Sequence, residues 1–211
     1  MMSEYRMNRP DPALIEKLRG FTTGELCDGA GFYHAMDYQI KPAFGRPHIV
    51  GPALTVDLPA GESAMAMEAI LQAQPGDVLV LAAKGHCRCA CWGDYRSLAA
   101  KLQGAEGVVI DGAFRDLEGC EEAGFPLFAR ALTCGAAGKS PVGAIHVPVS
   151  CGGVTVNPGD LIIADVNGVM VLRPEEAEAA MEKAEKKRAK EEEQIAEMLR
   201  TGRAVRKAIT K

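Results

Sequence analysis

The sequence predicts a mixed α/β fold, and three observations predict it. Apolar runs at 78–83 and 107–111 are strand-sized, rich in Val, Ile and Leu, and bounded by turn residues such as Pro75-Gly76-Asp77 and Gly112. That is the pattern of strands buried on both faces. The segments between them carry apolar residues three and four apart, the spacing of one helix face. A long Glu-, Lys- and Ala-rich stretch begins at Pro174 and reads as a charged terminal helix. The material for a core is present, since 47% of the 211 residues are hydrophobic and 25% charged. A chain of this length buries about 70% of its unfolded surface, so it needs no disulfides.

Taken in order, residues 1–12 read as a loose arm and 12–18 as a short helix. Thr22-Thr23-Gly24-Glu25 offers a hydroxyl cap with an acid three residues on, and starts a second helix through Leu26-Cys27-Asp28-Gly29-Ala30. Residues 49–57 alternate and are rich in Val, Leu and Thr, a strand with Gly51-Pro52 as a local bend. Residues 62–74 place apolar side chains at 64, 65, 67, 70 and 71, a helical spacing. After the 78–83 strand, residues 84–94 read as a loop leading into a helix at 95–103. The 107–111 strand ends in Gly112-Ala113-Phe114-Arg115-Asp116, and a helix follows to about residue 123. Short strands are expected near 126–129, 144–148, 153–156, 160–164 and 168–172, with turns at Pro158-Gly159-Asp160 and Asn167-Gly168. From Pro174 to about residue 199, Pro at a first helical position and acids in the first turn mark a helix start. Met181, Ala184, Ile195, Met198 and Leu199 give that helix only a thin apolar stripe, which predicts packing partly on another subunit. The domain is therefore expected over 1–173, with 174–211 as a helical extension onto a neighbouring subunit. There is no internal repeat.

Bulk properties exclude several classes. Lys+Arg 24 against Asp+Glu 28 leaves a net charge of −4, which argues against a nucleic-acid binder. No apolar run approaches the ~18 residues that span a membrane. The N-terminus, Met1-Met2-Ser3-Glu4-Tyr5-Arg6, lacks the basic and apolar regions of a secretory signal. Seven unevenly spaced cysteines fit a reducing compartment, so a cytoplasmic location is expected.

Strand–loop–helix units put their loops at the carboxyl ends of strands, where open α/β sheets bind ligands. Two such loops carry ionisable residues, Gly93-Asp94 and Arg115-Asp116. Twenty residues separate Asp94 from Arg115, about one crossover, so both loops fall on the same sheet edge. A guanidinium fork binds a carboxylate bidentately, one Asp can hold Mg²⁺ or Mn²⁺ with water in the remaining positions, and a further carboxylate can orient a bound water. On spacing alone, a surface ion pair at Arg115–Asp116 and a helix cap at Asp94 explain the same residues.

Asp94, the Arg115-Asp116 pair, and the run Gly104-Ala105-Glu106-Gly107-Val108-Val109-Ile110-Asp111-Gly112-Ala113-Phe114 that precedes the pair closely resemble the RraA-like family. That family comprises class II 4-hydroxy-4-methyl-2-oxoglutarate / 4-carboxy-4-hydroxy-2-oxoadipate aldolases and regulators of ribonuclease E activity. The likeness runs from about residue 14 to 172 and includes Gly51-Pro52-Ala53-Leu54-Thr55-Val56, Pro75-Gly76-Asp77-Val78-Leu79-Val80, and Pro158-Gly159-Asp160 followed by Asp165-Val166-Asn167-Gly168-Val169. The resemblance implies a three-layer β/β/α swivelling-type domain, assembled as a homo-trimer or a dimer of trimers. It implies a divalent-metal-dependent lyase that cleaves a 4-hydroxy-2-oxo acid or diacid to pyruvate, with oxaloacetate decarboxylation as a side activity. Gly93, Asp94, Tyr95 and Arg96 would hold the pyruvyl carboxylate at a helix N-terminus. Arg115 would bind the keto-acid and steady enolate charge, Asp116 would ligate Mg²⁺ or Mn²⁺, and Asp94 would orient a metal-bound water. A glutamate from a neighbouring subunit's C-terminal helix would complete the site, with Glu192 favoured among Glu191, Glu192 and Glu193. The alternative within the family is a non-catalytic regulator that binds a ribonuclease. Such members are expected to be shorter and to lack the terminal helix, which favours the enzyme.

The sequence departs from the family before Gly93, where His86, Cys87, Cys89, Cys91 and Trp92 replace glycine-rich aliphatic residues. Thiols two apart on an extended segment face the same way, so a zinc or copper site is one reading and apolar filling the other. Asp28 is either a distant site partner or a surface residue. His34, His48 and His146 have no triad spacing, no Gly-x-Gly-x-x-Gly is present, and Ser150-Cys151 lacks a base motif.

Overall fold

A computed structural model describes residues 9–205, so most of the expected N-terminal arm lies outside the described residues. Asp11 caps the first helix, α1 (Pro12–Leu18), by accepting from the Ala13 N–H, and Pro12 sits at its first position. Thr22 and Glu25 form a reciprocal capping box at the start of α2 (Thr23–Ala30). A 3₁₀ turn at Phe32–His34 leads to β1 (Lys41–Pro42) and β2 (Ile49–Asp57). Three crossovers follow: α3 (Ala64–Gln72) to β3 (Val78–Trp92), α4 (Asp94–Leu102) to β4 (Gly107–Phe114), and α5 (Leu117–Ala123) to β5 (Leu127–Leu132). The chain then runs through β6 (Ala144–Ile145), β7 (Val149–Cys151), β8 (Val154–Val156), β9 (Leu161–Asp165) and β10 (Gly168–Leu172), and ends in α6 (Pro174–Thr201).

The main sheet has the order β1-β5-β4-β3-β2-β9-β10, with β6 also on β2. β2, β3, β4 and β5 pair in parallel, and β9 joins β2 antiparallel. On one face, α3, α4 and α5 bury a cluster that includes Ile70, Leu81, Trp92, Ile110 and Phe125. On the other, the β7–β8 ribbon covers Val80, Val109, Phe128 and Ile162. At the β9–β10 end the pleat alternates. Ile162 and Ala164 face the ribbon, whereas Leu161 and Ile163 face α1, α2 and α6. This is the expected β/β/α arrangement. No helix among the described residues is long and apolar enough to cross a membrane.

Two expectations need correction. The segment 84–94 is not a loop, because β3 runs on to Trp92. The register slips three times along it, after Leu81, His86 and Ala90, and Lys84 and Gly85 both take left-handed backbone, so no period of two survives to mark a strand. The terminal helix is also not separate from the core. Ala177, Ala180, Met181 and Ala184 are buried against the chain's own α2 layer, across the expected boundary at 173. Beyond them the stripe opens, with Ile195 half-exposed and Leu199 exposed.

Candidate functional site

Pairing of β3 with β4 puts Trp92 beside Phe114. The residues after each strand therefore meet, and the Arg115 N–H donates to the Trp92 carbonyl at 3.1 Å. Gly93-Asp94 and Arg115-Asp116 lie side by side at the carboxyl ends of two parallel strands, as their spacing predicts.

Two glycines make the contact close. A Cβ on Gly93 would stand 2.8 Å from Asp116 Oδ2, and one on Gly119 would stand 2.7 Å from Asp94 Cβ and 3.0 Å from Asp94 Oδ2. The Asp116 carboxylate thus rests on the β3–α4 corner, and the Asp94 side chain rests on α5. Asp116 is left-handed at φ 58°, and its Oδ2 pairs with Arg115 Nε at 3.1 Å. Asp94 Oδ1 accepts from the Tyr95 N–H at 2.6 Å, so this amide of the helix start is engaged within the chain, while the Tyr95 ring is exposed.

The Arg96 guanidinium donates through Nη2 to Ser63 O at 3.1 Å and Ser63 Oγ at 3.3 Å, and its buried Nε has no hydrogen-bond partner. Burial pulls it below its ordinary value, and the like charge of Arg115 adds to this. Ser63 in turn donates to the Gly138 carbonyl, fastening the segment that carries Lys139. Sequence reasoning missed Ser63 and Lys139, because both belong to irregular segments with no local signal of their meeting. These groups surround an open cleft of about 490 Å³ lined by Gly93 to Arg96, Arg115, Asp116 and Lys139. A second opening, about 750 Å³, lies on the other side of Arg115 and Asp116 beside Leu132 and Cys134.

Behind the loops runs a buried polar chain that the sequence did not flag. Trp92 Nε1 donates to Ser97 Oγ at 2.9 Å, Ser97 Oγ to Cys120 Sγ at 3.6 Å, and Cys120 Sγ to the Arg115 carbonyl at 3.4 Å. Burial pushes the Cys120 thiol up, and the carboxylates of Asp94 and Asp116 add to that against the Ser97 hydroxyl, so the thiol keeps its proton.

The remaining expected residues stand elsewhere. Within one chain Glu192 is not brought to Asp94, Arg115 and Asp116; it lies in a groove between α2 and α6 with Glu25, Arg188 and Ile195. Asp28 is an ion-pair partner of Lys187 on that same groove. The three thiols do not gather. Cys91 is buried, donates to the Ala113 carbonyl at 3.6 Å and is pushed up to about 12 by burial, whereas Cys87 turns to the Gly85 carbonyl. Among the described residues no group of three or more His, Cys, Asp or Glu side chains is placed together, so the geometry lends the thiol-metal reading no support.

Residues 23–171 match the model of a family described as Aldolase/RraA. A Halalkalibacterium halodurans protein named "Putative 4-hydroxy-4-methyl-2-oxoglutarate aldolase" is 38% identical over 186 residues, 88% of this chain and 89% of that one. An uncharacterized Pseudomonas syringae protein superposes with a TM-score of 0.79 at 26% identity, over 97% of this chain and 96% of that one. Streptomyces coelicolor RraAS2, described as an unusual member of the RNase ES inhibitor RraA protein family, gives a TM-score of 0.76 at 29% identity, over 93% of this chain and all of its own. RraAS2 spans nearly the whole chain, so an inhibitor-named relative is not always the shorter form. The comparisons and the sheet topology agree, and the chain belongs to the Aldolase/RraA family.

Proposed function

We propose that the chain is a divalent-metal-dependent lyase that cleaves a 4-hydroxy-2-oxo acid or diacid by a retro-aldol step and releases pyruvate, with oxaloacetate decarboxylation as a side activity through the same enolate. The convergence of Asp94, Arg115 and Asp116 in one cleft carries this reading. The donor set fits a hard cation. Asp116, seated where Gly93 leaves room for no side chain, presents a carboxylate to the cleft that Asp94 also lines, and Mg²⁺ or Mn²⁺ is typically held by one or two carboxylates with water and substrate oxygens in the other positions. A cation held by Asp116 would supply Lewis-acid polarisation of the 2-oxo group.

The chain's own groups do the rest. Arg115 forks the keto-acid and faces the charge that develops on the enolate oxygen. Gly93 to Arg96, at the start of α4, receive the pyruvyl carboxylate, the Arg96 guanidinium adding positive charge. Asp94 orients a water that takes the proton of the 4-hydroxyl as the C3–C4 bond breaks and returns one to the enolate carbon. Glu192 from a neighbouring copy completes the site in a homo-trimer or homo-hexamer.

The test is incubation with oxaloacetate and with 4-hydroxy-4-methyl-2-oxoglutarate, with Mg²⁺ or Mn²⁺, following pyruvate by a coupled reductase. Pyruvate release that EDTA stops is expected. No pyruvate from either substrate or from other 4-hydroxy-2-oxo acids, with metal present, overturns the reading. The likeness to RraAS2 over nearly the whole chain favours a second reading, a regulator that binds a ribonuclease through its surface. Tight binding of an RNase E-type enzyme, unchanged in Arg115→Ala, would support it.

A further inference from the structure

We propose that Cys120 is the positioning residue that sets the Arg115–Asp116 turn, as the last member of a buried donor chain that starts at Trp92. This rests on reading Arg115 and Asp116 as the reactive pair.

Both ends of the chain fix its direction. An indole N–H can only donate and a carbonyl can only accept. Ser97 Oγ accepts from Trp92 at 2.9 Å, so its single proton is free to point onward to Cys120 Sγ at 3.6 Å. The thiol proton then goes to the Arg115 carbonyl at 3.4 Å. Trp92, Ser97 and Cys120 are all buried, and the indole is stacked on Phe125 with ring centroids 6.3 Å apart, so the chain starts from a fixed group.

Cys120 holds the turn twice. Its thiol bonds the carbonyl before Asp116, and its backbone N–H bonds the Asp116 carbonyl at 2.9 Å. The two peptide planes that flank Asp116 are therefore both tied to one residue of α5, and between them Asp116 keeps φ 58° and ψ 48°. A side chain without a donor at 120 leaves the Arg115 carbonyl unpaired and the Ser97 hydroxyl without its acceptor. Only the backbone tie to the Asp116 carbonyl then remains, and the turn can relax out of the left-handed region and carry both charged side chains with it. Burial keeps the thiol away from substrate, so its effect is exerted through Arg115 and Asp116.

The experiment uses full-length Cys120→Ala, Cys120→Ser and Ser97→Ala, each assayed on oxaloacetate with Mn²⁺, checked by thermal unfolding, and crystallised. In Cys120→Ala kcat is expected to fall about tenfold, because small misplacements of reacting groups are costly. Cys120→Ser, which keeps a hydroxyl donor, is expected to recover to within roughly threefold of wild type at similar thermal stability. Ser97→Ala should fall between them, and it keeps the test open should Cys120→Ala not fold. The crystal structure of the Ala variant is expected to show Asp116 outside the left-handed region. Equal kcat in the Ala and Ser variants, or an Asp116 and Arg115 carbonyl that have not moved, overturns the proposal. The crystallographic arm does not depend on the lyase reading. A wild type that releases no pyruvate from oxaloacetate or from any 4-hydroxy-2-oxo acid overturns that reading, and the backbone at Asp116 still decides this one.

Discussion

Arg115 is half-exposed and its side chain is ion-paired with its neighbour Asp116, so the fold does not lean on it. Arg115→Ala is expected to abolish pyruvate release while shifting stability by no more than about 0.5 kcal/mol, the usual range for a surface change. Loss of activity together with loss of the cooperative unfolding transition would show that the side chain is structural instead. Gly93→Ala tests the other half of the contact. The backbone at 93 is extended (φ −172°), a conformation any residue adopts, so the only obstacle to a methyl group is the Asp116 carboxylate 2.8 Å away. That carboxylate is the mobile end of a side chain and can swing aside. The variant should therefore fold with a stability near wild type yet need a higher Mn²⁺ concentration for half-maximal activity; an unchanged metal requirement would count against Asp116 as the ligand. At this scale the sequence was legible where chemistry coincides with spacing. Asp94, Arg115 and Asp116 announced themselves because each follows a buried strand and the crossover length brings them together. Ser97 and Cys120 did not, because a small residue in a helix reads as filler until the partner from another element is seen.

At the scale of elements, the strands and helices that bury continuous apolar runs were readable, and β3 beyond residue 83 was not. Its bulges at Lys84 and Gly85 remove the periodicity from which a strand is inferred, while neighbours on β4 still pair with it. The α2–α6 contact is another case of information held between elements. A Cβ on Gly29 would stand 2.2 Å from the Ala180 carbonyl oxygen and 3.2 Å from Ala180 Cα, and backbone cannot turn away as a side chain can. Gly29→Ala should cost about 1–3 kcal/mol by overpacking, read as a lower urea midpoint, and an unchanged midpoint would mean the two helices are not in this contact in solution. The β6–β7 connection carries a pH response. His146 is partly buried there, its backbone N–H donating to the Thr55 carbonyl at 2.9 Å. Burial pulls its imidazole below the ordinary value, more than the facing Asp77 carboxylate raises it. A depressed imidazole is neutral in the fold, and the unfolded chain takes up the proton first, near the ordinary value of about 6.5. The stability it contributes is present above that pH and lost as the pH falls through it. The unfolding temperature should drop between about pH 7.5 and 5.5, and His146→Gln should flatten that slope.

At the scale of the molecule, α6 divides in two. Its first turns are part of the core through Ala177, Ala180, Met181 and Ala184, and its outer half carries Glu192 beside α2 and leaves Ile195 half-exposed and Leu199 exposed. Glu192 lies along the α2–α6 groove, whereas Asp94, Arg115 and Asp116 lie at the carboxyl ends of β3 and β4. If Glu192 serves a site at all, a neighbour's site is the one the outer half of the helix can supply. That arrangement has a consequence no single variant can mimic. Glu192→Gln and Arg115→Ala should each be inactive alone. In a ring where every site draws Arg115 from one copy and Glu192 from the next, randomly mixed and reassembled subunits pair an intact Arg115 with an intact neighbouring Glu192 at one site in four. Mixed assemblies should therefore regain roughly a quarter of wild-type pyruvate release. A mixture that stays inactive would place any role of Glu192 within its own chain. Full activity in Glu192→Gln alone would remove this residue from the site and leave Glu191 and Glu193, its neighbours on α6, to be tested the same way.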